Sequence, residues 1–313
     1  MAHDLSIVIV SWNVRDLLRR CLRSVLESLE TEGARALATE VVVVDNASRD
    51  GSAEMVRREF GHARVIANAQ NEGFTKGNNQ GIAASDGRHV LLLNPDTEVV
   101  GRSLGEMVDY MQGHPEVGAL GPQLLYPDGR VQSSRRRFPD LRTALVESTF
   151  LQPWFSESST LKSYYVLERQ DGDTQEVDWL VGACLMMRRA ALEKVGLLDE
   201  RFFMYSEELD WCYRARQQGW RVVYLPEARV IHHEGKSSEQ ALAVRHLHFQ
   251  RSKVLFFKKH HGRVQGEILR LYLLASYLWQ TVVEGLKWLA GHKRPLRRQR
   301  ILAYSQVLRS GLG

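Results

Sequence analysis

Three nearly unbroken apolar runs, each closed by a small polar cluster, restrict this chain to few architectures. LSIVIV (residues 5–10) ends in Ser11-Trp12-Asn13, VVVV (41–44) in Asp45-Asn46, and VLLL (90–93) in Asn94-Pro95-Asp96. A strand with one face in water alternates in polarity. A run without alternation is buried on both faces, as in a parallel sheet covered by helices. The helices lie between the runs. Leu17, Leu18, Cys21, Leu22, Val25, Leu26 and Leu29 recur at helical spacing and predict an amphipathic helix over 15–29. Residues 53–60, with Ser48, Asp50 and Ser52 as candidate caps, and 73–84 read as two more helices, and 64–67 as a short strand. The resulting β-α-β-α-β-α-β order predicts an α/β fold with a mostly parallel sheet flanked by helices. Ligands of such sheets sit at the carboxyl ends of the strands, where all three polar clusters fall.

Downstream the pattern loosens. Tyr126-Pro127-Asp128-Gly129 predicts a hairpin turn inside a turn-rich block, 123–177. Strands are expected at 181–187, 221–225 and 228–231, helices at 189–195 and 207–217, and a basic helical region from 240 onward. With 313 residues there is room for one large domain or two modest ones. The expected division is 1–240, in two halves of about 1–120 and about 121–240, followed by a basic helical appendage, 241–313.

Several function classes are excluded. Neither GxGxxG nor GxxxxGK[ST] follows the first strand, which argues against a dinucleotide dehydrogenase and a P-loop NTPase. Cys21, Cys184 and Cys212 form no CxxC pair, against a zinc ribbon or a thioredoxin-type site. The start lacks a basic leader, and the longest uncharged apolar stretch, 271–283, is too short to span a bilayer, so a reducing cytosolic compartment is expected. The net charge of +5 hides a split: 241–313 holds 14 Lys or Arg against Glu267 and Glu284, a net +12, while 1–240 is net −7. An acidic body argues against a nucleic-acid-binding protein. The basic tail calls for an anionic partner.

SIVIVSWN, VVVVDNASRDGS, NEGFTKGNNQGI, LLLNPDTEV, GACLMMRR, FFMYSEELDWCYRARQQGWRVVYLP and VIHHEGKSS occur in the order found in family 2 glycosyltransferases. The chain most resembles the bacterial rhamnosyltransferase-like branch, over about residues 5–238. The resemblance implies the A-type glycosyltransferase fold and an inverting transfer from a nucleotide-sugar donor, dTDP-rhamnose or a UDP-sugar. The acceptor would be a saccharide or lipid-linked saccharide of a cell-envelope polysaccharide, and the cofactor Mg²⁺ or Mn²⁺.

The chemistry needs a carboxylate to take the acceptor hydroxyl's proton and a cation for the leaving diphosphate. Asp96 offers a hard oxygen ligand at a strand end. By the resemblance it is the last position of a DXD-type motif whose first position here is Asn94, one charge short. Glu207, Glu208 and Asp210 open a helix amid Phe202, Phe203, Met204, Tyr205 and Trp211, where desolvation and mutual repulsion raise a carboxyl toward a working base. Glu208 falls at the family's base position and Asp210 at the acidic position after it. Glu208 is favoured, with Asp210 open and Glu207 assigned to substrate. His232 is the expected second metal ligand, with His233 beside it as the alternative. Asp45 resembles the residue that binds the nucleotide base. Ser11 and Asn13, with Asn71, Gly73 and Asn79, are expected to line the donor pocket. Arg135-Arg136-Arg137 reads either as a solvated charge run or as a contact for an acceptor phosphate.

The tail carries an apolar face (Leu269, Leu271, Tyr272, Leu274, Leu278, Trp279, Val282, Val283, Leu286, Leu289) followed by the basic segment 292–300. Peripheral attachment to an anionic membrane at its inner face is expected. Packing against the body or an oligomer interface is the competing use of that helix.

Overall fold

The computed structural model describes residues 3–31, 37–233 and 242–313. The expected join at 240/241 and the end of VIHHEGKSS therefore lie outside the described residues. The chain divides into two compact units: Met1–Phe138 with Tyr165–Arg201 and Glu207–Ser237, and Pro139–Tyr164 with Phe202–Ser206 and Ser238–Gly313.

The first unit begins as its sequence predicts: β1 (Leu5–Ser11), α1 (Arg15–Glu30), β2 (Thr39–Asp45), α2 (Ser52–Glu59), β3 (Ala63–Ala67), α3 (Phe74–Ala83) and β4 (His89–Leu93). These strands pair in parallel in the order β3-β2-β1-β4. Every residue of β1 is buried, as its unbroken apolar run requires. Leu18, Cys21, Leu22 and Val25 of α1 pack into the main core together with Ile7, Leu91, Met107 and Leu120. On the other face α3 lies so close to β1 that a Cβ on Gly81 would stand 2.2 Å from a methyl of Val8. Gly51, in the left-handed region, caps α2, while Asp50 accepts from the Ser52 amide and hydroxyl at 3.1 and 2.6 Å.

Beyond β4 the structure adds elements that the sequence reading left out: β5 (Thr97–Val100) and α4 (Ser103–Gly113). Then come β6 (Val117–Leu125), β7 (Val131–Gln132) and β8 (Arg135–Arg136). In the second unit lie α5 (Leu141–Val146), α6 (Gln152–Phe155) and α7 (Ser159–Tyr164). The first unit resumes with β9 (Gln175–Val177), β10 (Trp179–Leu180), β11 (Cys184–Arg188), α8 (Arg189–Val195), α9 (Glu207–Gln217) and β12 (Arg221–His232). The sheet continues β4-β11-β6-β12-β5, with β11 antiparallel to both neighbours, β12 parallel to β6 and β5 antiparallel to β12. The parallel half is thus extended by a mixed half. The expected hairpin is present as β6-β7, Leu124 opposite Gln132. The strands expected at 221–225 and 228–231 are one strand with a register shift between Leu225 and Arg229. Pro226 has no amide hydrogen for the ladder, which is why the break falls there. The strand expected at 181–187 runs from Cys184 to Arg188, and Trp179-Leu180 before it form a separate short strand paired with β8.

In the second unit, α10 (Leu242–His260), α11 (Arg263–Leu289) and α12 (Arg294–Ser310) bury Phe256, Phe257, Leu269, Leu273, Tyr277 and Val307. A buried ion pair joins Glu284 of α11 to Arg297 of α12 at 2.8 Å, and Lys253 pairs with Glu147 at 2.9 Å. Ser252 donates to the Met204 carbonyl at 2.8 Å. Among the described residues, no helix is long and apolar enough to cross a membrane.

Candidate active site

The carboxyl ends of β1, β2 and β4 gather the expected donor-side residues. Ser11 is the register partner of Asp45. Both are buried, and neither Ser11 Oγ nor Asp45 Oδ1 has a hydrogen-bond partner among the described residues, although Asp45 Oδ2 accepts from the Ser48 amide at 2.9 Å. Buried polar atoms without partners are rare in a finished fold and mark where a ligand completes the network. Asn13, at φ 53°, ties the first loop to the second: its amide donates to Ser48 Oγ at 2.9 Å and its Oδ1 accepts from the Arg49 amide at 2.7 Å. Asn71 Oδ1 accepts from the Gly73 amide at 3.0 Å, and Asn46 donates to the Gly73 carbonyl at 3.0 Å. The φ of 90° at Gly73 makes this turn one for glycine. Asn79 spends its amide elsewhere, on both backbone groups of Leu198 (2.9 and 3.1 Å) and on Glu200 at 3.0 Å. That places Asn79 in a packing clamp.

The Asn94-Pro95-Asp96 corner is fixed from both sides. The Asn94 amide donates to the Ala183 carbonyl at 2.9 Å, its carbonyl accepts from Thr97 Oγ1 at 2.7 Å, and its buried Oδ1 lacks a partner among the described residues. β5 pairs Thr97 with His232 of β12, and in the corner just before β5 the buried carboxylate of Asp96 faces that histidine, with Oδ1 3.5 Å from Nε2. His232 Nδ1 lies 2.9 Å from Gln132 Oε1, whereas His233 turns to Glu98 at 2.6 Å. A ring nitrogen beside an accepting oxygen donates to it, and in a singly protonated ring a hydrogen on Nδ1 leaves the lone pair on Nε2, toward the carboxylate oxygen. Two lone-pair atoms facing one another are reconciled by a cation, and adjacent ligands of a small divalent ion lie about 3 Å apart. The residues fit Mg²⁺ or Mn²⁺. A second cluster, His3, Glu40 and Asp86, stands at the amino ends of β1, β2 and β4, where its members already hydrogen-bond: His3 to Asp86 at 2.6 Å, Glu40 to Ser6 Oγ and the Asp86 amide.

The three acids of α9 have distinct surroundings. Asp210 is fully buried and accepts from Arg214 Nε at 2.9 Å, and the same guanidinium donates to the Val195 and Leu197 carbonyls at 2.8 Å each. Burial, and then the neighbouring Glu208 charge, push the Glu207 carboxyl well above the usual range. Burial also raises Glu208, against the pull of nearby backbone amides and of Arg136. Glu208 Oε1 accepts weakly from the Gly182 amide at 3.4 Å, and its buried Oε2 has no partner among the described residues. A Cβ on Gly182 would touch the Glu208 side chain at 3.4 Å. Of the arginine run, Arg135 is buried, pairs with Asp171 and lies over the Tyr224 ring, and Arg137 pairs with Glu168 at 3.0 Å. Arg136, over the Tyr165 ring at 4.6 Å, is the member whose charge reaches Glu208. Gln132, Gly182 and Arg136 carried no individual role in the sequence reading. GACLMMRR flagged Gly182, and nothing flagged Gln132.

Residues 6–196 match the family described as Glycosyl transferase family 2. An N-acetylglucosaminyl-diphospho-decaprenol L-rhamnosyltransferase of Mycobacterium tuberculosis is 31% identical over 273 residues, 84% of this chain and 86% of that protein. Among solved structures, GalNAc-T7 with UDP, GalNAc and Mn²⁺ superposes with a TM-score of 0.59 at 18% identity, over 82% of this chain and 48% of that one. The mannosyltransferase PcManGT of Pyrobaculum calidifontis with GDP-Man and Mn²⁺ gives 0.57 at 16% identity, over 98% and 87%. The folds are alike, with the A-type sheet followed in this chain by helices α10–α12. Sequence and fold together place this chain in glycosyl transferase family 2, as a glycosyltransferase.

Proposed function

We propose that this enzyme transfers rhamnose from dTDP-rhamnose, with inversion, to a hydroxyl of a lipid-linked saccharide in cell-envelope polysaccharide synthesis. The observation that carries the reading is the presence, in one unit, of a desolvated carboxylate, Glu208, and the facing pair Asp96–His232. The acceptor oxygen attacks the anomeric carbon, Glu208 takes the hydroxyl proton, and the bond from that carbon to the diphosphate breaks. Asp96 and His232 would hold a divalent cation, which would supply positive charge to the departing diphosphate. Asp45 and Ser11 offer buried polar atoms to the nucleoside, and Asn71 and Gly73 shape the adjoining loop. Asp210 is a positioning residue, anchoring α9 through Arg214. The choice of sugar and of a lipid-linked acceptor is supported by the mycobacterial relative, an N-acetylglucosaminyl-diphospho-decaprenol L-rhamnosyltransferase, and the cation by the Mn²⁺ of the two structural neighbours.

The test is nucleoside diphosphate release from dTDP-rhamnose, UDP-sugars and GDP-mannose, with Mn²⁺ or Mg²⁺ and a polyprenyl-diphosphate-linked acceptor. Turnover is expected with dTDP-rhamnose. Turnover with a UDP-sugar alone would replace the donor, and none with any donor would end the enzymatic reading.

The same reading puts the enzyme at the cytoplasmic face of a membrane, where such an acceptor resides. Leu269, counted on the apolar face of α11, is buried, but Leu271, Leu278, Trp279, Val282, Leu286 and Leu289 of that face are exposed, and Val264 and Ile268 extend the stripe. Glu267 pairs with Arg270 and Lys258, and Glu284 with Arg297, so both acids are neutralised and the surroundings stay basic. A second copy would bring like charge against like charge. An anionic leaflet gains about 1 kcal/mol per nearby Lys or Arg. Flotation should recover the protein with anionic vesicles, increasingly at low salt, and Leu278→Asp with Trp279→Ser should reduce recovery several-fold. Equal recovery of both proteins at every lipid charge would refute attachment by this stripe.

A further inference from the structure

Gln132 stands behind the Asp96–His232 pair although nothing in sugar transfer calls for it. It ends the two-residue strand β7, is buried, and reaches His232 Nδ1 at 2.9 Å across the hairpin-to-β12 side of the sheet. A buried carboxamide in an apolar setting costs stability unless its hydrogen-bonding groups are used, so its placement is specific. The contacting atom is Oε1, which can only accept. A neutral imidazole has one N–H, and a free histidine side chain favours placing it on Nε2. Here the accepting oxygen draws the hydrogen to Nδ1 and leaves the lone pair on the nitrogen that faces Asp96.

We propose that Gln132 is a positioning residue that locks His232 in the Nδ1–H tautomer and fixes its ring plane. Nε2 is thereby held ready to share a divalent cation with Asp96. This rests on the cation reading given above. The contact is the outer-shell partner that metal-binding histidines ordinarily have, usually a carboxylate or backbone carbonyl, and such partners account for about 10–100-fold in metal affinity. A neutral carboxamide orients the ring without adding a second negative charge beside Asp96. His233, whose ring contacts Glu98, lacks this arrangement toward Asp96. The hairpin turn at Tyr126–Arg130 therefore has a chemical consequence: pairing Gln132 with Leu124 sets the depth at which the carboxamide meets the ring.

The test uses the full chain and two readouts other than turnover. Nitrogen-15 NMR of the histidine rings in metal-free protein at pH 8, with His232 assigned by His232→Ala, should show Nδ1 protonated and Nε2 bare. Mn²⁺ titration followed by electron paramagnetic resonance, with saturating dTDP and UDP in parallel, should give a Kd raised about 10–100-fold in Gln132→Leu. Gln132→Glu, which keeps the accepting oxygen, should stay within a few-fold of wild type. If wild-type His232 carries its hydrogen on Nε2, the proposal fails whatever the variants do. It also fails if Gln132→Leu binds Mn²⁺ like wild type while His232→Ala binds it weakly, an outcome that leaves the cation reading standing. If His232→Ala and Asp96→Ala both bind Mn²⁺ as wild type does, the cation reading itself falls.

Discussion

Glu208→Gln is expected to lower kcat by about 10²–10⁴-fold, the contribution of a positioned general base, while leaving donor affinity within a few-fold. The carboxamide keeps the shape beside Gly182, and its oxygen can still accept from the Gly182 amide, so a folding defect is not expected. The pH profile carries an independent signature. Burial raises the Glu208 carboxyl, and the base works only when ionised. Activity should therefore fall, as pH drops, at a higher pH than an exposed glutamate would give, and this acid limb should vanish from the residual activity of Glu208→Gln. Asp210→Asn is expected to act differently: it weakens the Arg214 anchor of α9 and should lower the melting temperature along with the rate. An active Glu208→Gln beside a stably folded, inactive Asp210→Asn would move the base to Asp210.

Chelation should be equally severe. EDTA is expected to abolish turnover and Mn²⁺ or Mg²⁺ to restore it, because stabilising the leaving diphosphate supplies several kcal/mol, at least about 10²-fold in rate. Asp96→Ala should show the same loss, with weakened metal-dependent donor binding that excess cation only partly recovers. Asn94→Asp restores a second charge at the corner and should tighten the cation. Turnover indifferent to EDTA would overturn the roles of Asp96 and His232 together.

The polar clusters at the strand ends were legible because their determinants are local. Strands β1, β2 and β4 are apolar runs, their polar termini are contiguous in sequence, and parallel α/β topology places those termini on one edge. Ser11, Asp45, Asn94 and Asp96 could thus be placed at that edge from pattern alone. Asn79 shows the limit: it follows closely on the Asn71–Gly73 loop, yet its amide is used by Leu198 and Glu200, some 120 residues onward. The overlooked β5 explains another gap. Four residues after a turn carry little periodicity, and Thr97–Val100 is a strand only because β12 is there to pair with it.

What the sequence determined by itself was the alternation of buried strands and amphipathic helices, the split between an acidic body and a basic tail, and which polar clusters stand at the strand ends. Periodicity and composition are properties of neighbours along the chain, and so they can be read without a fold. What only the tertiary structure decided was assignment among adjacent equals. His232 rather than His233 faces Asp96, although continued strand register would set His233 opposite it, because Asp96 lies in the Asn94-Pro95 corner before β5 begins, where strand alternation no longer holds. Asp210 is occupied because Arg214 lies one helical turn on and reaches it, while Glu208 is left desolvated beside Gly182. The exposed stripe of α11 was separated from its buried face only by what packs against it. Each of these choices turns on contacts between residues distant in sequence or on which way one helix face points, and neither is a property of the residue type.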